Sequence, residues 1–404
     1  MALPPPAKGN EPRTIVIVGG GIGGLTAALA LARAGMRAIV AERADHLSEA
    51  GAGIQISPNA GRVLAELGLD AKLAAAAIEP AAIEIRSGAD GRVLTSVPGA
   101  KFRSRYEIPY RVLQRADLLH VLADAVEANP NCTLHYAASL AQTLPQGDGF
   151  LARIQTAGGI DVVPAAAIIG ADGVWSSLRE KIANSGRPQS TGRTAWRAVV
   201  PADVARDLVP MDRVSLWLGP DAHLVHYPVA QGSAVNIVAT VREELPKAAW
   251  SSPGDRNEIN RRFKDWPTRA RHIIAAPLAW QKYPVQRVPA EATWADGRLA
   301  LLGDAAHAMA PFLAQGACMA IEDAAVLAGK LGNATDIPAA LSAYAIARKG
   351  RVAKVARAAE RAGAVYHYGG PLAFARDVAL RLRGPELILD RNDWIYRWTV
   401  NDGG

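Results

Sequence analysis

Thr14-Ile-Val-Ile-Val-Gly-Gly-Gly-Ile-Gly-Gly24 decides the fold. Five β-branched residues in a row read as a strand covered on both faces. Gly19, Gly21 and Gly24 follow at once in the order Gly-x-Gly-x-x-Gly. Such a loop allows a tight turn and lets backbone N–H groups approach a pyrophosphate, with the field of a helix N-terminus behind them. Leu25–Ala34 is rich in Ala and Leu and predicts that helix. Gly35 ends it, and Arg37–Ala41 predicts a second strand. Glu42 then follows Gly24 by 18 residues. A carboxylate about 20 residues on is what a ribose hydroxyl needs. The spacing suits the ADP half of either FAD or a nicotinamide dinucleotide, and does not choose between them.

Outward from this unit, helices are expected at Ala60–Leu67 and Arg115–Ala128, and an apolar strand at Val162–Ile169. From about Thr191 to Val288 the texture changes. Val214–Leu218 and Val235–Thr240 alternate as antiparallel strands do. A polar helical stretch near Arg256–His272 interrupts them. Arg298–Leu302 reads as a buried strand and Gly316–Lys330 as a helix. Ala339–Arg383 is Ala- and Arg-rich and helical, and the tail Asp393–Trp398 is aromatic. The predicted fold is α/β: a Rossmann-like dinucleotide-binding domain, an inserted antiparallel-sheet substrate domain and a C-terminal helical region. The expected boundaries are a disordered leader over 1–12, a first part over 13–190 with some substrate-domain strands, the sheet over 191–290, a second part over 291–335 and C-terminal helices over 336–404.

Composition narrows the partners. The chain has 404 residues, half of them apolar and a fifth charged, with a formal charge of +7. The basic residues are scattered, no nucleic-acid motif appears, and the charge favours anionic small molecules. No apolar run nears the ~20 residues of a membrane span, so no stable membrane insertion is expected. Cys132 and Cys318 form no disulfide framework or zinc spacing. A cytoplasmic monomer or homodimer is the expectation.

Three further stretches carry a resemblance. Ile169-Gly-Ala-Asp172-Gly173-Val-Trp-Ser-Ser-Leu-Arg179 resembles the Asp-Gly motif of the class A flavoprotein monooxygenases. Leu302-Gly303-Asp304-Ala-Ala-His-Ala-Met-Ala-Pro311 resembles their Gly-Asp motif, which reaches the ribityl and ribose part of FAD. Gln114-Arg115-Ala-Asp-Leu118 is similar to the segment whose Arg contacts FAD. With the glycine loop these stand in the family's order. The chain is thus identified as a member of the group with the p-hydroxybenzoate hydroxylase fold. Gly51–Asn59 and Pro311–Asp323 look closest to the salicylate, 3-hydroxybenzoate and 6-hydroxynicotinate hydroxylases.

The resemblance implies FAD as cofactor, NADH or NADPH as reductant, O2 as oxidant and a small aromatic or heteroaromatic substrate, expected to be a hydroxylated carboxylic acid. Hydroxylation is implied to run through a flavin hydroperoxide. The second reading is an FAD-dependent dehydrogenase or reductase without oxygen transfer. Implied cofactor residues are Gly19, Gly21, Ile22, Gly24, Glu42, Arg43, Gly53, Ile54, Arg115, Asp172, Gly303, Asp304, Gln315, Gly316 and Ala317. Gly316 and Ala317 open a helix, whose free N–H groups suit negative charge on a reduced flavin ring.

An aromatic ring is activated by losing a phenolic proton, so a base near that oxygen is expected. His226 matches a catalytic His in a 3-hydroxybenzoate hydroxylase-like pattern, and Tyr227 a pocket Tyr in the 6-hydroxynicotinate pattern. Adjacent residues of a regular strand face opposite sides, so a bend or a choice between them is required. The Pro311 carbonyl is a candidate acceptor for a substrate hydroxyl. Gln55, Trp217 and Phe312 are candidate pocket residues. Gln55 stands where the 6-hydroxynicotinate enzymes carry a His, and cannot act as a base. Cys318 is expected to be a small core residue, and no metal site is expected.

Overall fold

The computed structural model describes residues 13–47, 52–244, 251–289 and 291–403. The leader over 1–12 and Gly51 lie outside the described residues. Thr14–Val18 is the centre of a six-stranded sheet in the order Ala295–Asp296, Leu299–Leu301, Ala167–Gly170, Thr14–Val18, Arg37–Ala41, Cys132–His135. The strands run parallel except for the Ala295–Asp296 edge. This arrangement explains the β-branched run: Ile15, Val16 and Ile17 are fully buried, with strands on either side and helices on the faces.

The first helix, Ile22–Arg33, packs on Gly316–Gly332. Both are rich in Ala and Gly, so their backbones come close. Gly24 is required for the loop between strand and helix, because a Cβ there would lie 2.0 Å from the Gly19 carbonyl oxygen.

The expected strand over 162–169 is two strands. Gly159–Ala165 ends a three-stranded antiparallel sheet with Gly149–Thr156 and Ser139–Gln146. Ala167–Gly170 then joins the parallel sheet beside Thr14–Val18. The continuous apolar run hid the corner at Ala166.

A second, eight-stranded sheet has the order Ser252–Gly254, Trp280–Arg287, Gln189–Pro201, Ala234–Arg242, Ala222–Val229, Arg213–Gly219, Ala82–Ser87, Val93–Pro98. Two strands come from well before the middle of the chain, and Arg213–Gly219 pairs in parallel with Ala82–Ser87. One face packs on Arg256–Arg262 and Thr268–Ala275 through Trp196, Trp217, Phe263, Trp266 and Trp280. The other face looks towards the first domain.

The C-terminal region is two long helices, Ile337–Tyr366 and Gly370–Tyr396. The second is kinked where Gly384 leaves helical geometry ahead of Pro385. Among the described residues no helix is long and apolar enough to cross a membrane.

Candidate active site

The glycine loop, the Arg115 helix, the Asp-Gly segment and the Gly-Asp loop converge at the carboxyl ends of the parallel strands, where ligands gather in open α/β sheets. Glu42 stands just beyond its strand. Its Oε2 accepts from the Gly20 N–H at 2.6 Å and its Oε1 from Ala44 N–H at 2.8 Å, which fixes the carboxylate beside the glycine loop.

Asp172 accepts from the Ser177 N–H at 2.7 Å and from its hydroxyl at 3.1 Å through Oδ2. Its Oδ1 is buried without a partner among the described residues. Arg179, from the same segment, donates to the carbonyls of Val174 at 2.7 Å and Ala305 at 2.6 and 2.8 Å, and so ties the Asp-Gly segment to the Gly-Asp loop.

Two connected clefts follow this line. Gly21, Ile22, Arg115, Gly303, Asp304, Gly316 and Ala317 line the narrower one. The wider, of about 510 Å³, lies between domains and is lined by Arg43, Ala52, Arg115, Asp304 and Pro311 on one side and by Ala195, Arg197 and Tyr283 of the second sheet on the other. Asp304 and Arg115 border both. An ADP-containing, flat-ringed group fits this shape: a glycine turn at one end, the unpartnered Asp172 Oδ1, an exposed Asp304 midway and the opening of Gly316–Gly332 beyond.

Gln315 is different. Its side chain is buried, donating to Ser57 Oγ at 2.9 Å and accepting from Asn59 Nδ2 at 3.1 Å. It braces the helix start from inside, and its Nε2 also reaches the Leu313 carbonyl at 3.4 Å. Gly53 and Ile54 lie in a short strand, Gly53–Ile56, paired with Arg111–Gln114. Gly53 N–H donates to Asn236 Oδ1 at 2.8 Å, and a Cβ on Gly53 would lie 2.7 Å from both Asn236 and Tyr227. Only glycine lets this strand touch the second sheet.

The cleft-facing side of that sheet is set by register. Tyr283, Ala195, Thr240 and His223 form one cross-strand row. Arg197, Val238 and Val225 form the next, and Val199, Asn236 and Tyr227 the next. Directly opposed residues share a face. Thr240 Oγ1 and Asn236 Nδ2 are buried on this side without partners among the described residues. Gln55 accepts from the Tyr110 hydroxyl at 2.6 Å and interacts with Tyr227. Burial pushes the Tyr227 hydroxyl well above its ordinary range, so it is a neutral donor.

His226 and Trp217 are not on this face. Trp217 Nε1 donates to His226 Nε2 at 3.0 Å, and Trp217 belongs to the apolar cluster behind the sheet. Burial, with Arg86 and Arg269 nearby, lowers His226 to about 3. The register of Ala222–Val229 is unbroken, so His226 and Tyr227 point oppositely, and Tyr227 is the one on the cleft-side face.

The residue that sequence reasoning left unassigned is His223. Four positions before Tyr227, it shares the cleft-side face, and the i, i+4 spacing of two polar residues in one strand was the available signal. Its ring meets Phe312 edge-on at 5.5 Å between centroids. Phe312 is half-buried, packs also against Tyr366 and under Arg193, and lines a cavity with Arg193, Ala310 and Gly363. Pro311 lines the cleft, and its carbonyl already accepts from Ala314 N–H at 3.0 Å, leaving one lone pair. Cys318 is buried, and burial pushes its thiol up to about 11, as a core residue requires. Among the described residues no cluster of His, Cys, Asp and Glu could hold a metal ion.

Comparison with known proteins agrees with this geometry. Residues 13–359 match the family model described as "FAD binding domain". The chain is 34% identical over 391 residues to a 3-hydroxybenzoate 6-hydroxylase from Polaromonas naphthalenivorans (strain CJ2), covering 96% of each chain. It is 37% identical over 391 residues to a 3-amino-4-hydroxybenzoate 2-monooxygenase from Streptomyces platensis, again covering 96% of each. A solved salicylate hydroxylase substrate complex superposes with a TM-score of 0.80 at 25% identity, covering 97% of each chain. The chain belongs to the FAD-binding family of class A flavoprotein monooxygenases and is an FAD-dependent aromatic hydroxylase.

Proposed function

We propose that the substrate is a hydroxylated benzoate, taken into the space between the Gly-Asp loop and the row Tyr283–Ala195–Thr240–His223, with NADH or NADPH as reductant. The observation that carries this reading is the set of buried, unpartnered polar atoms on one sheet face, Thr240 Oγ1 and Asn236 Nδ2, beside His223, Tyr227 and Arg197. Buried polar groups left without partners await a ligand's hydroxyl or carboxylate. Arg197 faces the cleft and suits a carboxylate. The relatives' printed names, a 3-hydroxybenzoate and a 3-amino-4-hydroxybenzoate enzyme, support the same class.

Bound FAD supplies the redox and oxygen chemistry. The chain's residues do the rest. Gly19–Gly24 and Glu42 would hold the ADP half, Asp172 and Asp304 the sugar and ribityl part, and the opening of Gly316–Gly332 would offer its free N–H groups to the ring. His223 accepts the phenolic proton. Burial, the neighbouring His367 and Arg193 hold His223 neutral, which keeps a lone pair available. A bound anion opposes these effects and raises its proton affinity. Tyr227 donates to the substrate, and the sheet and Phe312 keep water out.

The test is oxygen-dependent oxidation of NADH and NADPH by FAD-loaded protein against a panel of hydroxybenzoates, aminohydroxybenzoates and hydroxypyridine carboxylates. The expected result is strong stimulation by one hydroxybenzoate and a product heavier by one oxygen. FAD-loaded protein that yields no oxygenated product from any benzoate overturns the substrate assignment.

A further inference from the structure

His223 does not stand alone. Its Nδ1 lies 2.9 Å from Nε2 of His367. The rings are 5.1 Å apart between centroids and tilted by 32°. His367 caps the C-terminal end of Ile337–Tyr366, so it comes from a different part of the fold, 144 residues along the chain. His223 is 4% exposed, whereas His367 is half-buried. Beyond His367 the chain turns out through Gly369 and Gly370, both exposed. The pair therefore runs from the sheet face towards the outside.

We propose that His367 is a positioning residue and proton relay, holding His223 with Nδ1–H donated to His367 Nε2 and accepting that proton when His223 takes one from a substrate hydroxyl. The inference rests on the proposed substrate class. In a neutral His, one nitrogen carries hydrogen and the other a lone pair, and the partner of one fixes the state of the other. With Nδ1–H committed to His367, the His223 Nε2 lone pair is free, and Nε2 has no partner among the described residues. The alternative tautomer would make Nε2 a donor and unable to accept.

The step balances. The substrate O–H bond breaks and an Nε2–H bond forms on His223. The His223 Nδ1–H bond breaks and an Nε2–H bond forms on His367. His367 is then an imidazolium and gives up its Nδ1 proton to water. No electron pair leaves the cavity, and the substrate oxygen keeps its charge. The reverse order returns a proton to the product.

The surroundings favour transit over storage. Arg193 faces the pair from Gln189–Pro201, and Arg376 faces His367 from Gly370–Tyr396, where it pairs with Asp377 at 2.8 Å. Tyr366 and Phe312 close the sides. Burial first, then these two cations, lower His367 to about 3. A proton arriving there is passed on. The His367 Nδ1 is buried without a partner among the described residues.

The test uses FAD-loaded enzyme with the hydroxybenzoate the panel identifies, and three variants. His367→Phe removes relay and acceptor. His367→Gln keeps an acceptor for His223 but cannot pass a proton. His367→Ala leaves room for added imidazole. FAD content and Tm report folding in each. The expected result is a fall in kcat of about 10²-fold for His367→Phe with KM little changed. The ultraviolet band of bound phenolate should appear only at higher pH than in the wild type, and free imidazole should restore turnover to His367→Ala. His367→Gln should bind like the wild type and turn over slowly. Wild-type rate and pH profile in His367→Phe would overturn the relay. So would slow variants with an unshifted phenolate band and no rescue by imidazole, which mean packing. Failure of the wild type on every benzoate strikes the substrate reading instead, and is seen before any variant is made.

Discussion

Asp323 Oδ2 sits 2.5 Å from His307 Nε2, with both side chains closed to solvent. The same oxygen accepts from the Gly303 N–H at 3.1 Å, and Oδ1 accepts from Arg348 Nε at 2.6 Å. Gly303 and His307 flank the Gly-Asp loop, so one buried carboxylate fixes the loop that presents Asp304. Burial by itself would raise Asp323, but His307 and Arg348 outweigh it and hold the carboxyl at about 2.

Asp323→Asn should therefore cost about 1.5–3 kcal/mol, because it removes charge-assisted bonds to Arg348 and His307 while Glu322 still faces Arg348 at 2.8 Å. Urea unfolding of the FAD-free protein measures it. Since the folded value lies below the ordinary 3.8, Asp323 stabilises the fold fully above pH ~4. That share is lost as pH falls towards 2, and the variant should lack this part of the acid transition.

Gly24→Ala should abolish FAD binding. The added Cβ would lie 2.0 Å from a backbone oxygen that no side-chain motion relieves. Flavin absorbance of the purified variant is the readout, and normal flavin content would refute the reading of the loop.

Glu42→Ala should weaken FAD by about 10- to 100-fold, the worth of one or two hydrogen bonds to a charged group. Quenching of flavin fluorescence on titration measures it. Turnover at saturating FAD should be nearly unchanged, because Glu42 belongs to the glycine loop and His223 to the second sheet.

His223→Phe and His226→Phe should separate cleanly. The first should lower kcat by about 10²- to 10⁴-fold, as loss of a proton acceptor does. The second should leave the rate within a few-fold and lower Tm, because it strips the Trp217 N–H of its buried acceptor. Equal losses of rate would return His226 to the site.

Both free thiols should be inert in the native protein. Burial pushes Cys132 and Cys318 each up to about 11, and thiolate is the reactive form. A thiol-exchange reagent at neutral pH should label them only after unfolding.

The glycine loop was legible because its requirements are local: a buried strand, a turn, a helix and an acid all fall within Thr14–Glu42. The corner at Ala166 was not, since an apolar run looks the same whether it continues one strand or starts the next. The facing of Ala222–Val229 was hidden for a physical reason. All of its residues but Val225 are buried, so polarity does not alternate along the strand and cannot tell one face from the other. His226 was singled out by its resemblance to a catalytic His pattern, and nothing in the strand's polarity favoured His223 over it. Trp217 misled similarly: aromatic residues line pockets and pack cores alike, and only the helices behind the sheet distinguish the two. Asn236, Thr240 and His367 gave no local pattern, because their partners come from distant parts of the chain.

The helix Ile337–Tyr366 touches both ends of the cleft. Near its start Tyr344 donates to the Leu301 carbonyl at 2.9 Å and Arg348 grips Asp323 under the cofactor loop. At its far end His367 meets His223. With ~1.5 Å of rise per residue, Arg348 and His367 are about 28 Å apart along one axle. The two compartments therefore share one structural member: the helix that braces the cofactor loop near its start ends on the outer histidine of the pair.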